Sequence, residues 1–174
     1  FRESDLKIAP VIERILSSNL FYSSHAIGRK VRSPVELGVG LLRCMEGSTN
    51  LDSLSKSLGE ICQAVFYPPN VKGWDGGRAW VNTSTLLGRS NLVAGVLKNG
   101  ATRFGGKDLE SLARNHRVAS PRPLVAWLDE LLFAGQLNDE SRAGLVELLE
   151  QSQGSESRRI AELIHTLSTI PQFQ

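Results

Sequence analysis

The feature that most limits the folds open to this chain is its punctuation. Again and again a polar cap residue precedes apolar residues at three- and four-residue spacing, and a glycine, asparagine or proline follows them. No stretch alternates as a half-buried strand would, and no repeat of fixed period emerges. The clearest start is Ser33, Pro34 and Glu36: a serine cap, a proline at the first helical position and a glutamate that completes a capping box. That helix is expected to run to about Met45 with Val35, Val39, Leu41 and Leu42 inward, and to stop at Gly47. A second is expected from Leu51 to Gln63, with Leu51, Leu54, Leu58, Ile61 and Cys62 on one stripe.

The same logic marks helices elsewhere. Ser4 or Asp5 is a cap for the Leu6 to Leu16 stretch, although Pro10 moves the expected regular start to about Ala9. Asn82, Thr83 or Ser84 caps a helix carrying Leu86, Leu87, Val93, Val96 and Leu97, closed by Asn99 and Gly100. A short helix is expected over Lys107 to Arg114, and further ones after Ser120 and Pro121, after Asn138 and after Ser155, the last stopped by Pro171. The fold class these signals predict is all-α: an irregular helical bundle of six to eight helices. Ala101 to Gly106, polar and glycine-bearing, is the candidate hinge at 100–106.

One long stretch fits no helix. Phe66 to Ser84 reads FYPPNVKGWDGGRAWVNTS and holds two of the seven prolines, three of the sixteen glycines and two of the three tryptophans. Pro68 and Pro69 lack amide donors and restrict φ, while Gly73, Gly76 and Gly77 suit turns, so this is a structured loop. Tyr67, Trp74 and Trp80 are expected to pin it to the helical body, because large aromatic surfaces are costly to leave in water. Tyr67, Trp74, Asp75, Arg78, Trp80 and Asn82 also form the candidate binding set. Aromatic faces stack on sugar rings, while carboxylate, guanidinium and amide groups read hydroxyls. A structural role competes with that one, since an irregular loop must satisfy its own backbone polar groups.

Composition removes several function classes. At 174 residues with a net charge of +2, the chain is the size of one domain and lacks the basic excess of a nucleic-acid binder. Arg29, Lys30 and Arg32 are the one tight basic cluster, and a solvated turn accounts for them. No apolar run is long enough to span a bilayer. Cys44 and Cys62 lie near the ends of the two helices of a hairpin, separated along its axis by roughly 12 Å at about 1.5 Å per residue. A disulfide needs Cα atoms within about 7 Å, so both cysteines are read as small buried hydrophobes, and no metal site is expected of them.

Catalytic signatures are sparse. His25, His116 and His165 lack the spacing of a helical metal pair. The acidic pairs Asp129 and Glu130, Asp139 and Glu140, and Glu147 and Glu150 read as polar helix faces or helix starts. No nucleophile elbow surrounds Ser84 or Ser90, which read as caps or packing residues. The glycines beside Arg78 belong to no phosphate-binding loop, and no cofactor is expected.

Four segments together carry a family resemblance: Val31 to Glu36, Pro68 to Trp74 with Trp80, Asn82 to Arg89, and Pro171 to Gln174. They resemble the Lys-Ser-Pro-Val-Glu-like helix start, the Pro-Pro-x-Val-x-Gly-Trp loop, the Asn-x-x-x-Leu-Leu-x-Arg helix and the Pro-x-Phe-Gln ending of the bacterial domain of unknown function 1800 family. The resemblance implies one helical domain over 1–174 that forms the C-terminal part of a longer protein. It implies an extracytoplasmic setting, in the periplasm or cell envelope, and as partner an exported protein encoded beside it or a glycan. It carries over no catalytic residue. The expected function is therefore a non-catalytic binding or scaffold domain. The alternative is part of a hydrolase acting on envelope or polysaccharide material, with Asp75, Arg78 and His25 in a cleft that an N-terminal portion completes.

Overall fold

A computed structural model describes all residues, 1–174. The chain is mostly helical, with eight α-helices and one two-stranded sheet of two residues a strand. It divides into two compact units, Phe1–Val31 and Arg32–Gln174.

The first unit holds helix α1, Ala9–Leu16, followed by a series of turns. The helix begins at Ala9 with Pro10 in its first turn, where a missing amide costs nothing. The residue before it is Ile8, which supplies no side-chain cap, so neither Ser4 nor Asp5 caps the helix. Ser4 Oγ instead donates to the carbonyls of Phe1 and Lys7, at 2.8 and 2.9 Å. No residue of α1 is buried, and Ile8, Ile12 and Ile15 all remain exposed. Phe21 and Tyr22 meet edge to face at 5.1 Å.

The second unit carries the core. Helix α2, Pro34–Cys44, starts on the capping box read from the sequence: Glu36 N donates to Ser33 Oγ at 3.2 Å and Ser33 N to Glu36 Oε2 at 2.9 Å. After β1, Gly47–Ser48, the Asn50 side chain caps α3, Leu51–Glu60. The loop leads to α4, Thr83–Lys98, then β2, Arg103–Phe104, and α5, Leu109–Asn115. Helices α6, Pro121–Phe133, α7, Asp139–Gln151, and α8, Glu156–Thr169, follow, and a 3₁₀ turn at Pro171–Phe173 ends the chain. Strands β1 and β2 pair antiparallel with Gly47 opposite Phe104, and the Thr49 and Thr102 hydroxyls meet at 2.7 Å. The 100–106 segment thus contributes a strand and buries Thr102 and Phe104.

Helix α8 is central. Leu163, Ile164 and Leu167 have no exposed surface, and the helix packs on α4, α5, α7 and the terminal 3₁₀ turn. Each fully buried side chain of this size contributes roughly 1.5–3 kcal/mol of transfer free energy. Just past α3, Ile61 comes so close to Gly88 of α4 that an added Cβ would clash with its Cγ2 and force the isoleucine to move.

Several expected faces turn out differently. Leu51, Leu86, Leu87 and Leu148 are exposed, while Leu37 is the most buried side chain of α2 with Met45 equally hidden just after it. The inward stripe of α4 is Thr85, Arg89, Leu92, Val93 and Val96, so two polar residues occupy core positions that hydrophobicity alone assigns to leucines. Both cysteines are unbridged, but both are exposed rather than buried: α3 ends at Glu60, and Cys62 sits beyond it in a left-handed turn at φ 73°. Asp129 is not on a polar face. It is 2% exposed and accepts from Arg142 Nε at 2.7 Å and from Leu137 N at 3.1 Å, while Arg142 Nη2 donates to the Gly135 carbonyl at 2.8 Å. This cluster ties α6 to the start of α7 and satisfies the turn between them.

Candidate functional site

The loop is held at its two ends. Gln63 Oε1 accepts from Val35 N on α2 at 2.8 Å, which fixes the exit from α3. At the far end a 3₁₀ turn, Gly77–Trp80, buries Trp80, and Asn82 caps α4. Asn82 Oδ1 accepts from Thr85 N and Thr85 Oγ1 from Asn82 N, both at 2.9 Å. Trp80 and Asn82 therefore have structural positions.

Between those anchors the remaining candidates face water. Tyr67 is 79% exposed and does not pin the loop; Trp74 is half-buried; Asp75 and Arg78 are exposed. Asp75 Oδ1 accepts from Lys72 Nζ at 2.9 Å in an ion pair open to solvent on both sides, an arrangement worth at most about 1 kcal/mol. Asn70 Oδ1 accepts from Lys72 N at 2.9 Å and makes the turn that carries the pair. Phe66 is 90% exposed and Val71 wholly so. Phe66 also has φ 68°, a conformation costly for a bulky residue. The main concavities of the molecule are lined by other residues than Asp75 and Arg78.

The other recognisable segments meet one another. Arg89, the last residue of the capped-helix motif, has no exposed surface. Its Nε donates to Gln174 Oε1 at 2.5 Å, its Nη1 to the Arg32 carbonyl at 2.9 Å and its Nη2 to the Gln174 backbone oxygen at 3.2 Å. Arg32 N in turn donates to the same Gln174 oxygen at 2.8 Å. Arg32, expected in a solvated turn, instead lays its guanidinium over the Phe173 ring at 4.0 Å and donates to the Phe173 carbonyl at 3.1 Å. Burial, and then the neighbouring Arg32 charge, lower the Arg89 pKa below its ordinary value. This latch closes the ends of the second unit and is a packing device.

One pairing has no signature in the sequence. Ser90 on α4 and His165 on α8 lie 75 positions apart, and Ser90 Oγ is 3.0 Å from His165 Nε2. The same nitrogen is 3.3 Å from the Ser90 carbonyl, an acceptor only. The direction of the pair turns on the tautomer: with its proton on Nε2 the imidazole donates to the Ser90 oxygens, and with it on Nδ1 the serine hydroxyl donates to Nε2. His116 pairs with Glu46 at 2.8 Å and stacks on Trp127 at 4.8 Å, while His25 is exposed in the first unit. No three His, Cys, Asp or Glu side chains converge closely enough to hold a metal ion, and no helix is long and apolar enough to cross a membrane.

No curated protein and no solved structure matches the chain. A family model does, from the first residue to the last. With the capped helix at Ser33, the tryptophan loop and the Arg89 latch all in place, the chain belongs to the family described as protein of unknown function, DUF1800, whose model matches residues 1–174.

Proposed function

We propose that this chain is a non-catalytic helical contact domain, and that the loop between α3 and α4 is the surface it presents to a protein partner. The observation that supports this is the direction of the loop's apolar side chains: Phe66, Tyr67 and Val71 all project into solvent from a segment whose two ends are fixed. Exposed aromatic anchors on a pre-ordered loop are what protein interfaces use as binding hot spots, because little conformational entropy is lost when they dock. Aliphatic Val71 and strained Phe66 favour a protein over a glycan, since sugar recognition calls for stacking faces ringed by hydroxyl-reading groups.

The hydrolase alternative has less support. Asp75 and Arg78 face open solvent in this chain, and Asp75 is paired with Lys72 there. The proposed partner is an exported protein encoded beside this one, and the proposed setting is extracytoplasmic; both rest on the family resemblance alone.

Intact protein offered to that partner and to a glycan panel provides the test. Saturable binding to the partner is expected, weakened by at least about ten-fold in Tyr67→Ala with unchanged helical content. Binding to neither would remove the contact role and leave the loop as a brace. Glycan binding lost in Trp74→Ala would replace the protein by a sugar. Recovery of the protein in the cytoplasmic fraction would end the extracytoplasmic part.

A further inference from the structure

A concavity of about 670 Å³ lies away from the loop, within the second unit. Its walls are the C-terminal turns of α4, the 100–104 segment, the start of α5 and α8 as far as His165. The volume falls within the range of small-molecule sites, about 300–1,000 Å³. Leu97, Phe104, Leu109 and Ala161 line it with apolar surface, of which Phe104 and Leu109 are anchored in the core.

The polar rim is unbalanced. Lys98, Arg103, Lys107 and Arg158 line it against two carboxylates, Asp108 and Glu162. Both carboxylates are already engaged. Asp108 Oδ1 accepts from Ser111 N at 2.7 Å as the cap of α5, a bond that holds its carboxyl below the usual range. Glu162 Oε1 accepts from Arg158 Nε at 2.9 Å. Arg103 is also partly committed, with Nη1 donating to the carbonyls of Gly100 and Thr102 at 2.7 and 2.8 Å. The Lys98 and Lys107 ammonium groups take no hydrogen-bond partner within the protein, while the Lys107 charge acts at longer range on the Asp108 carboxyl. Ser155 and Ser157, at the N-terminal end of the fourteen-residue helix α8, line the same concavity and add the positive end of its dipole.

An apolar floor under a rim with uncommitted positive charge selects a ligand with the opposite arrangement. We propose that this concavity binds a small amphipathic anion, a compound with an acyl or aryl body and a carboxylate or phosphate head. The body lies on Phe104, Leu109 and Ala161, and the head is held between Lys98 and Lys107. A purely polar anion leaves the floor in water, and an apolar cation meets the lysines as like charges, so neither matches both halves of the site. The inference is independent of the loop contact, since no loop residue lines the concavity.

Isothermal titration of the intact protein with octanoate and with octyl phosphate tests it, using octyltrimethylammonium as the control of opposite charge. Saturable binding of at least one anion at one site per chain is expected. It should weaken by at least about ten-fold in Lys98→Glu/Lys107→Glu and as salt is raised. Ala161→Trp, which fills the floor and leaves the charges alone, should weaken it as well. Lys72→Glu, in the tryptophan loop, should leave it unchanged. Three results overturn the assignment: no saturable binding of either anion, equal binding of the ammonium control, or an affinity that neither the lysine pair nor Ala161→Trp alters. If the glutamate pair reduces helical content, Lys98→Gln/Lys107→Gln replaces it with the same expected direction.

Discussion

The tryptophan loop and the Arg89 latch are built from equally distinctive residues and use them in opposite ways. The loop turns its side chains outward: Tyr67, Asp75 and Arg78 are exposed, and its one ion pair lies in water. The latch turns a charged group inward, where Arg89 with no exposed surface donates to the Arg32 carbonyl and to two oxygens of Gln174. A buried guanidinium is expensive unless its donors are met, as all three nitrogens of Arg89 are, whereas the same group at a surface costs almost nothing. Arg89 is thus committed to the segment it fastens, whereas Arg78 stays at the surface. Distinctive composition alone does not separate the two roles; direction does.

Four substitutions test this contrast. The largest effect is expected from Arg89→Ala, which strands Gln174 Oε1 and the Arg32 carbonyl and opens a cavity between α4 and the terminal turn. Urea unfolding should show a loss of about 4 kcal/mol, and a loss below about 1 kcal/mol would mean that the latch is ornamental. Phe173→Ala removes the 2%-exposed ring that Arg32 covers and that lies 5.9 Å from Phe133. A loss of about 3 kcal/mol in the same measurement is expected.

Smaller changes follow nearer the surface. Ser33→Ala deletes the side chain that accepts from Glu36 N, and should lower the thermal midpoint by an amount equivalent to about 1 kcal/mol. Tyr67→Ala should change stability by less than about 0.5 kcal/mol while weakening partner binding. Should Tyr67→Ala instead destabilise as strongly as Phe173→Ala, the loop would be packed like the latch and the contrast would vanish.

Helix ends were legible in the residues because capping is a local matter. Ser33, Asn82, Asn138 and Ser155 each accept from an amide three positions on, so a window of four residues contains the whole interaction. The loop was legible for a similar reason, as prolines and glycines act on their own backbone. The candidate site was legible only as a list. Trp80 and Asn82 belong to the scaffold, while Tyr67, Asp75 and Arg78 stand apart from any cleft. Nothing local brings Ser90 to His165, Arg89 to Gln174, or Lys98 and Lys107 to the mouth of one concavity, because those neighbours are supplied by α8, the chain terminus and the 100–104 segment.

The residues alone dictate an all-α chain, the start and stop of most helices, and a long loop before Asn82. Tertiary structure alone decided which way each side chain faces: Leu87 out and Arg89 in on the same helix, Tyr67 out and Trp80 in on the same loop, and Asp129 beneath Arg142 instead of in water. The physical reason is the range of the interactions. Backbone conformation is set by residues within a turn of one another, whereas burial is set by whichever distant surface arrives to cover a face.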